Sequence, residues 1–160
     1  MKILQIAGRK DSGKTALAEL WTRVLADNGY RVGTLKHHGH GGKPLLAPGK
    51  DSTRHFEAGA QAAGVEGDGL FVLAVHVDQG LALEQLIGWY ETLPLDLLLI
   101  EGYKYAPYPK VVCLRDEQDR DLLSLPNVRA AFSLNPALSG CIKLFDRKSC
   151  IEWVEAFLKE

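Results

Sequence analysis

The sequence has few cysteines, and their spacing does not predict a disulfide framework. Cys113, Cys141 and Cys150 are odd in number and form no Cys-x-x-Cys pair. Such a pattern is typical of reduced thiols in a cytosolic protein rather than of a disulfide-rich secreted domain. We therefore expect the three cysteines to fill the core of a cytoplasmic protein.

The sequence also lacks long apolar runs and an excess of charge of either sign. Its apolar runs fall far short of the roughly 20 residues of a membrane-spanning helix, and a first strand at Lys2–Ile6 leaves no room for a signal peptide. Lys and Arg number 19 against 20 Asp and Glu, a formal net charge of -1, so we expect no nucleic-acid partner and no membrane surface. At 160 residues, we predict a single domain over 1–160.

The segment Gly8–Thr15 fits the phosphate-binding pattern Gly-x-x-x-x-Gly-Lys-[Ser/Thr] at every fixed position. Glycines let the backbone turn so that its N–H groups point at phosphate oxygens, and the next helix adds the positive end of its dipole. In such a P-loop the Lys14 ammonium, which we assign a catalytic role, reaches the β- and γ-phosphates, and the Thr15 hydroxyl binds Mg²⁺. We predict that a nucleotide contacts Gly8, Arg9, Lys10, Asp11, Ser12, Gly13, Lys14, Thr15 and Ala16. The alternative is a glycine-rich turn without a ligand.

The sequence on either side of this loop predicts the strand and helix that a phosphate cradle needs. Ile3–Ala7 is a short apolar run typical of a buried strand. Asn28-Gly29 provides a helix stop. Between them, apolar residues recur at the spacing of one helix face: Leu17, Leu20, Trp21, Val24 and Leu25.

The rest of the chain alternates between strand and helix patterns. We predict further strands at 31–36, 70–75, 95–100, 110–114, 128–133 and 141–144, and further helices from Asp51 through Ala62, around 83–90 and over 151–158. About seven strands and about four helices in alternation indicate a mainly parallel sheet with helices on both faces. The predicted fold class is a doubly wound, three-layer α/β domain of the P-loop NTPase type.

Glu101 directly follows the nearly continuous apolar run 95–100, which is typical of a central parallel strand. Ligands of open α/β sheets lie outside the carboxyl ends of the strands, so Glu101 is a candidate catalytic residue, as a Mg²⁺ ligand or a water-positioning group. Asp96 begins the same strand, roughly 16 Å away at about 3.3 Å per residue. Only one of the two can lie at the site, and we favour Glu101 over the alternative of an exposed strand-end carboxylate.

A long loop containing glycine and proline, residues 37–50, joins the second strand to the helix that begins near Asp51. Loops of this length are usually functional, and we expect this one to order on nucleotide binding as a switch. Either Asp51 or Ser52 is the candidate helix cap. The alternative role of Asp51 is that of a Mg²⁺ ligand. Arg54 is either a solvated helix charge or a phosphate partner.

Several motifs in this order resemble the MobB family, the molybdopterin-guanine dinucleotide biosynthesis protein B family. They are Gly8–Thr15, Leu35-Lys36-His37-His38, Lys50-Asp51-Ser52-Thr53-Arg54 with Ala58-Gly59-Ala60, and Leu99-Ile100-Glu101-Gly102-Tyr103-Lys104 with Pro109-Lys110. The resemblance implies a small, dimeric, GTP- and Mg²⁺-binding protein with weak GTPase activity. Such a protein assists a MobA-type molybdenum cofactor guanylyltransferase, which attaches GMP to molybdopterin, and molybdopterin itself is a further candidate ligand. The resemblance places Lys36, His37, Asp51, Arg54, Glu101 and Lys104 around the nucleotide.

Guanine preference has weaker support, because the Asn-Lys-x-Asp motif of common GTPases is absent. Asn135 follows a late strand and is either a base contact or the start of an Asn-Pro turn.

Two other functions remain open. One is a phosphotransferase or ligase acting on a small metabolite, which would use the same loop and Glu101. The other is a metal-insertion GTPase, prompted by His37, His38, His40 and His55, although these have no closed-site spacing.

Overall fold

The computed structural model describes residues 1–37, 50–77 and 80–160. Within these ranges the chain forms eight strands, four α-helices and one 3₁₀ helix, Glu117–Ser124. The strands are β1 (Lys2–Gly8), β2 (Val32–Lys36), β3 (Ala62–Gly67), β4 (Leu70–Val75), β5 (Leu97–Glu101), β6 (Lys110–Leu114), β7 (Val128–Ser133) and β8 (Ile142–Lys143). The α-helices are α1 (Lys14–Asp27), α2 (Asp51–Glu57), α3 (Leu83–Glu91) and α4 (Arg147–Lys159).

Six strands form one sheet in the order β2-β5-β1-β6-β7-β8, and every neighbouring pair in it is parallel. The apolar strand β5 lies between β1 and β2 and is buried over its first four residues. The loop after β1 and the residue at the end of β5 therefore meet at the carboxyl edge of the sheet. The doubly wound, mainly parallel α/β prediction is confirmed.

Alternating side chains divide the core between the two faces of the sheet. Leu97 and Leu99 pack with α1 and α4, where Trp21 meets Phe132 edge-on with ring centroids 5.4 Å apart. On the other face, Leu98 and Ile100 pack with α3, and β6 and β7 pack against the 3₁₀ helix. A continuous apolar strand is stable here because both of its faces are covered.

Two of the three cysteines lie in the core, as expected from the sequence. Cys113 and Cys150 are buried, Cys141 is half-buried, and all three are free thiols. Burial raises the pKa of the Cys113 thiol to about 12 and that of Cys150 to about 11, so both act as small apolar core residues. None of the described helices combines the length and the apolar composition that crossing a membrane requires.

The helix predicted from Asp51 through Ala62 begins at Asp51 as predicted, but it is shorter than predicted. Helix α2 ends at Glu57, and Ala62 opens β3, which pairs antiparallel with β4 around a turn at Asp68 and Gly69. Both turn residues have positive φ, 51° and 77°, as a tight hairpin turn requires. The hairpin is a separate two-stranded sheet, so 70–75 does not join the main sheet, and the described ranges contain eight strands where about seven were predicted. Small residues between 58 and 64 fit either pattern, which explains the error.

The capping of α2 also differs from the prediction. Its N-cap is Lys50, whose side chain makes no capping hydrogen bond. Asp51 is the first helical residue, so neither it nor Ser52 is the cap. The Asp51 carboxylate lies 3.6 Å from the Arg54 guanidinium, as an exposed ion pair within the helix.

Candidate functional site

The loop between β1 and α1 is tightly folded against the end of β6. A Cβ atom on Gly8 would lie 2.5 Å from the Ser12 hydroxyl oxygen and 2.7 Å from the Cys113 carbonyl oxygen, so only glycine fits there. Helix α1 begins at Lys14 with Gly13 as its N-cap, and no side chain caps it. Helix N-termini normally receive a side-chain acceptor for their first N–H groups. The N–H groups of this one are left to an anion or to water.

Lys14 folds back over the loop that it follows. Its ammonium donates to the Arg9 carbonyl oxygen and lies 3.5 Å from the Ser12 hydroxyl. Both contacts are with uncharged groups of the same loop. A phosphate oxygen at this position would offer the ammonium a stronger, charge-assisted hydrogen bond.

Three chain segments meet at the carboxyl ends of β2 and β5. The Thr15 hydroxyl donates to the Glu101 carboxylate at 3.2 Å, and the Lys36 ammonium lies 3.1 Å from the same carboxylate and 3.4 Å from the hydroxyl. The structure therefore brings together three residues that sequence analysis assigned to the site. They line the end of a groove of about 430 Å³ between α1 and the sheet.

Asp96 lies at the opposite end of β5, as predicted. It accepts hydrogen bonds from the Arg31 backbone N–H at 2.8 Å and from the Arg31 guanidinium. These contacts lower the Asp96 pKa to about 2. Asp96 therefore ties β5 to the start of β2 and takes no part at the carboxyl edge.

Arg9 is bound to protein carboxylates rather than directed into the loop. Its guanidinium contacts Asp119 at 2.6 Å and Asp121 at 3.0 Å, both on the 3₁₀ helix. The Asp119 side chain is fully buried and also accepts three hydrogen bonds from Arg115. The Arg115 hydrogen bonds are the main cause of the strongly lowered Asp119 pKa. Sequence analysis missed Asp119, because its partner Arg9 is 110 positions away.

His37 lies on the other face of the sheet from Lys36, as alternation along a strand requires. Its imidazole packs on the Tyr103 ring with centroids 4.4 Å apart, and its backbone N–H donates to the Glu101 carbonyl oxygen at 2.9 Å. Lys104 lies beyond Tyr103, with its ammonium 5.0 Å from the Tyr105 ring centroid. His37 and Lys104 thus line the same aromatic cleft, which lies on the face of the sheet that α3 covers.

Two buried polar side chains hold the loop that carries these aromatic residues. Gln5, fully buried in β1, donates through its amide nitrogen to the Gly102 and Tyr103 carbonyl oxygens at 3.2 and 2.9 Å. Lys110, fully buried at the start of β6, donates to the carbonyl oxygens of Ala106, Tyr108 and Pro126. Burial lowers the Lys110 pKa. Sequence analysis missed both roles, although a polar residue inside an apolar strand was a usable signal.

Asn135 forms the turn that was one of its two predicted roles. Its side-chain oxygen accepts from the Ala137 backbone N–H at 3.0 Å, and its amide nitrogen donates to the Arg115 carbonyl oxygen at 3.2 Å. The turn borders a cleft of about 340 Å³ at the carboxyl ends of β6 and β7. Asp116 and Glu117 also line this cleft.

Other predicted site residues lie apart from this cluster or outside the described ranges. Asp51 and Arg54 are exposed and pair with each other. His38, His40 and almost all of the predicted switch loop at 37–50 lie outside the described residues. Within the described ranges, no group of three or more His, Cys, Asp or Glu side chains could hold a metal ion.

Fold and loop together define an α/β protein with a glycine-rich loop at the carboxyl edge of a parallel sheet. The family model described as "Molybdopterin guanine dinucleotide synthesis protein B", MobB, matches residues 3–133. The chain is 44% identical to a probable molybdopterin-guanine dinucleotide biosynthesis adapter protein of Bacillus subtilis, over 80% of this chain and 73% of the relative. It is 30% identical to the adapter protein of Haemophilus influenzae, over 83% and 74%. The chain belongs to the MobB family.

Two solved structures extend the likeness to the whole fold. The crystal structure of Bacillus subtilis MobB superposes with a TM-score of 0.83 at 35% identity, covering 97% of each chain. A MobB homologue from Bacillus stearothermophilus gives 0.79 at 35% identity, covering 99% of each chain. The predicted family resemblance is therefore confirmed.

Proposed function

We propose that this protein is a GTP-binding adapter in the attachment of the guanine nucleotide to molybdopterin. The Thr15–Glu101 contact at 3.2 Å is the main support. A hydroxyl and a carboxylate at the end of a glycine-rich loop are the oxygen ligands that Mg²⁺ takes beside a nucleotide triphosphate. Thr15 and Glu101 would hold the metal, and Lys36, which pairs with Glu101 in this structure, would then be placed to pair with a phosphate oxygen.

The cleft beside Asn135 supports guanine as the base. It opens at the ends of β6 and β7, next to β1, so it is on the side of the loop away from Glu101. The guanine edge presents two neighbouring donors, N1–H and the 2-amino group, which a carboxylate accepts together. We assign that carboxylate to Asp116, because its two oxygens keep acceptor capacity beside the hydrogen bond from the Gln118 backbone N–H, whereas both polar atoms of the Asn135 side chain are already bound to backbone groups.

Hydrolysis by this site is slow. Glu101 is shared by Thr15 and Lys36, and as a Mg²⁺ ligand it cannot also orient an attacking water. A protein that keeps its bound GTP unhydrolysed suits the role of an adapter. It would hold GTP for a MobA-type molybdenum cofactor guanylyltransferase in the cytoplasm. The relatives' names, which call them adapter proteins, support this reading over a phosphotransferase.

The β3–β4 hairpin supports a homodimer. Leu70, Phe71 and Leu73 expose 66%, 61% and 52% of their surface, and Val65 and Val72 add to the same apolar hairpin. An isolated two-stranded hairpin is only marginally stable in water, and apolar patches of this kind usually mark protein interfaces. Pairing of two hairpins from two copies would bury both.

A reconstituted reaction tests the adapter role. The purified guanylyltransferase, molybdopterin and Mg²⁺-GTP are assayed for dinucleotide product with and without this protein, and with its Lys14→Ala variant. The proposal expects the wild-type protein to raise product formation and the variant to do so much less. If neither the wild type nor the variant changes the amount of product, and GTP is hydrolysed fast in the presence of another metabolite, the phosphotransferase is favoured.

A further inference from the structure

A second cleft, of about 440 Å³, opens beside the end of β5 on the face opposite α1. Lys36 faces the groove beside α1, whereas its neighbour His37 lines this cleft. The lining residues are His37, Leu83, Tyr103, Lys104, Tyr105 and Ala106. The volume is within the range of small-molecule sites. The lining residue Tyr103 follows Glu101 by two positions.

The cleft combines aromatic faces with positive charge. The Tyr105 side chain is 73% exposed, and the Lys104 ammonium lies 5.0 Å from its ring centroid. The His37 and Tyr103 rings form a second aromatic surface. Exposed rings of this kind bind flat heteroaromatic compounds by stacking, and a lysine beside them binds an anionic substituent.

The loop that forms the cleft is fixed in a costly conformation. Gly102 and Tyr103 both have left-handed backbone angles, with φ of 108° and 48°, and the second is rare for a residue with a bulky side chain. The buried Gln5 side chain donates to carbonyl oxygens at the start of this loop, those of Gly102 and Tyr103, and the buried Lys110 side chain donates to the carbonyl oxygens of Ala106 and Tyr108 at its end. The side-chain oxygen Oε1 of Gln5 is buried and has no hydrogen-bond donor among the described residues. Strain and buried polar groups concentrated in one loop are typical of a preorganised binding site.

We propose that this cleft binds a phosphorylated pterin, with Tyr105 stacking on the ring and Lys104 binding the phosphate. The inference deepens the proposed function, because it puts the compound that receives the guanine nucleotide beside the GTP site. His37 joins the two sites: its backbone N–H is bound to the Glu101 carbonyl oxygen and its ring lines the cleft. The two sites are therefore linked by Glu101, at the end of β5, and by His37, which is hydrogen-bonded to it.

Fluorescence titration with neopterin monophosphate and with neopterin tests the proposal on the full chain. Pterin fluorescence is quenched when the ring stacks on tyrosine. We expect Tyr105→Leu to weaken binding of both probes about tenfold, as loss of one stacking partner does. Lys104→Gln should weaken only the phosphorylated probe. The matched controls are Trp89→Leu, an exposed ring on α3, and Lys148→Gln, an exposed lysine on α4, and both should bind as the wild type does.

Competition with GTP separates this site from the nucleotide site, because pterins share the hydrogen-bonding edge of guanine. Saturating GTP should leave the pterin bound, and Lys14→Ala should lower GTP affinity without changing pterin affinity. Displacement of the pterin by GTP, no pterin binding, or equal affinity of Tyr105→Leu, Lys104→Gln and wild type would each overturn the proposal. If the pterin binds as predicted but GTP does not bind at all, the proposed nucleotide function fails and this site remains.

Discussion

Thr15 and Glu101 are 86 positions apart in the chain, yet the Thr15 hydroxyl lies 3.2 Å from the Glu101 carboxylate. The contact exists because β1 and β5 are parallel neighbours in register, with Ile6 beside Glu101. The loop that leaves β1 therefore passes directly over the end of β5. In this geometry a carboxylate and a hydroxyl meet where the phosphates of a nucleotide would end.

Replacement of Glu101 by Gln tests the proposed metal site. The amide keeps the shape of the side chain but removes the charge that a hard cation prefers. We expect nucleotide affinity measured with Mg²⁺ to fall about tenfold or more, whereas affinity measured in EDTA stays the same. Asp96→Asn is the control, since Asp96 pairs with Arg31 at the other end of the strand. An equal response of wild type and Glu101→Gln to Mg²⁺ would remove Glu101 from the metal site.

Replacement of Asp116 by Asn tests the guanine assignment. The amide can accept only one of the two guanine donors and presents an unfavourable donor to the other. We expect GTP affinity to fall about tenfold and ATP affinity to change little, because hydrogen bonds to charged groups are worth about 1.5–3 kcal/mol. Competition titrations with both nucleotides measure the ratio. A parallel loss for GTP and ATP would mean that Asp116 acts only as the cap of the 3₁₀ helix, through Gln118.

The buried Asp119 makes stability depend on acid pH. Its pKa is held below the usual value, chiefly by hydrogen bonds from Arg115, so the unfolded chain binds its proton more readily than the folded chain does. The stability that this carboxylate contributes is complete above its unfolded pKa of about 4 and is lost as the pH falls below that value. Asp119→Asn should therefore cost roughly 2 kcal/mol at pH 7, with a smaller difference from wild type at pH 3.

Urea unfolding of both proteins at pH 7, 5 and 3 measures this difference. A gap in unfolding free energy that stays constant across the three pH values would show that the aspartate charge does not stabilise the fold. Because Arg9 shares Asp119, the variant should also weaken nucleotide binding by loosening the loop.

The apolar hairpin provides a test of the dimer. Phe71→Glu adds a charge to a side chain that is 61% exposed, so the fold should tolerate it while a hairpin interface should not. We expect light scattering to give a dimer for wild type and a monomer for the variant. Trp89→Glu, on α3, is the control and should remain dimeric. A wild type that is monomeric at tens of micromolar would contradict the interface.

The sequence predicts the parts of this structure that depend on local patterns. The continuous apolar run ending at Ile100 identified β5 as a central strand, and the fixed spacing of Gly13-Lys14-Thr15 located the loop at the start of α1. Strand β3 was missed because Ala62 and Ala63 follow a helix and fit its pattern as well as a strand. The strand at 70–75 was predicted, but its hairpin partner β3 was not.

The site depends more on distant partners than the fold does. Arg9 was assigned to phosphate binding, yet the position of its guanidinium is set by Asp119, and nothing local to either residue indicates the pairing. Lys110 was predicted to begin a strand and to belong to a family motif, whereas its buried ammonium donates to the Ala106 and Tyr108 carbonyl oxygens and so holds that loop. Such contacts follow from the packing of strands far apart in sequence, which a single sequence does not specify.

Calorimetric titration of GTP, with and without Mg²⁺, into wild type and Lys14→Ala tests the central claim most directly. Among the described residues, the Lys14 ammonium hydrogen-bonds to a carbonyl oxygen and a hydroxyl of its own loop, so its loss should leave thermal unfolding unchanged. We predict that wild type binds GTP more tightly than ATP and more tightly with Mg²⁺, and that Lys14→Ala loses about 10- to 100-fold in affinity, whereas Lys148→Ala loses none. A folded Lys14→Ala variant that binds GTP as well as wild type does would contradict the nucleotide-binding account.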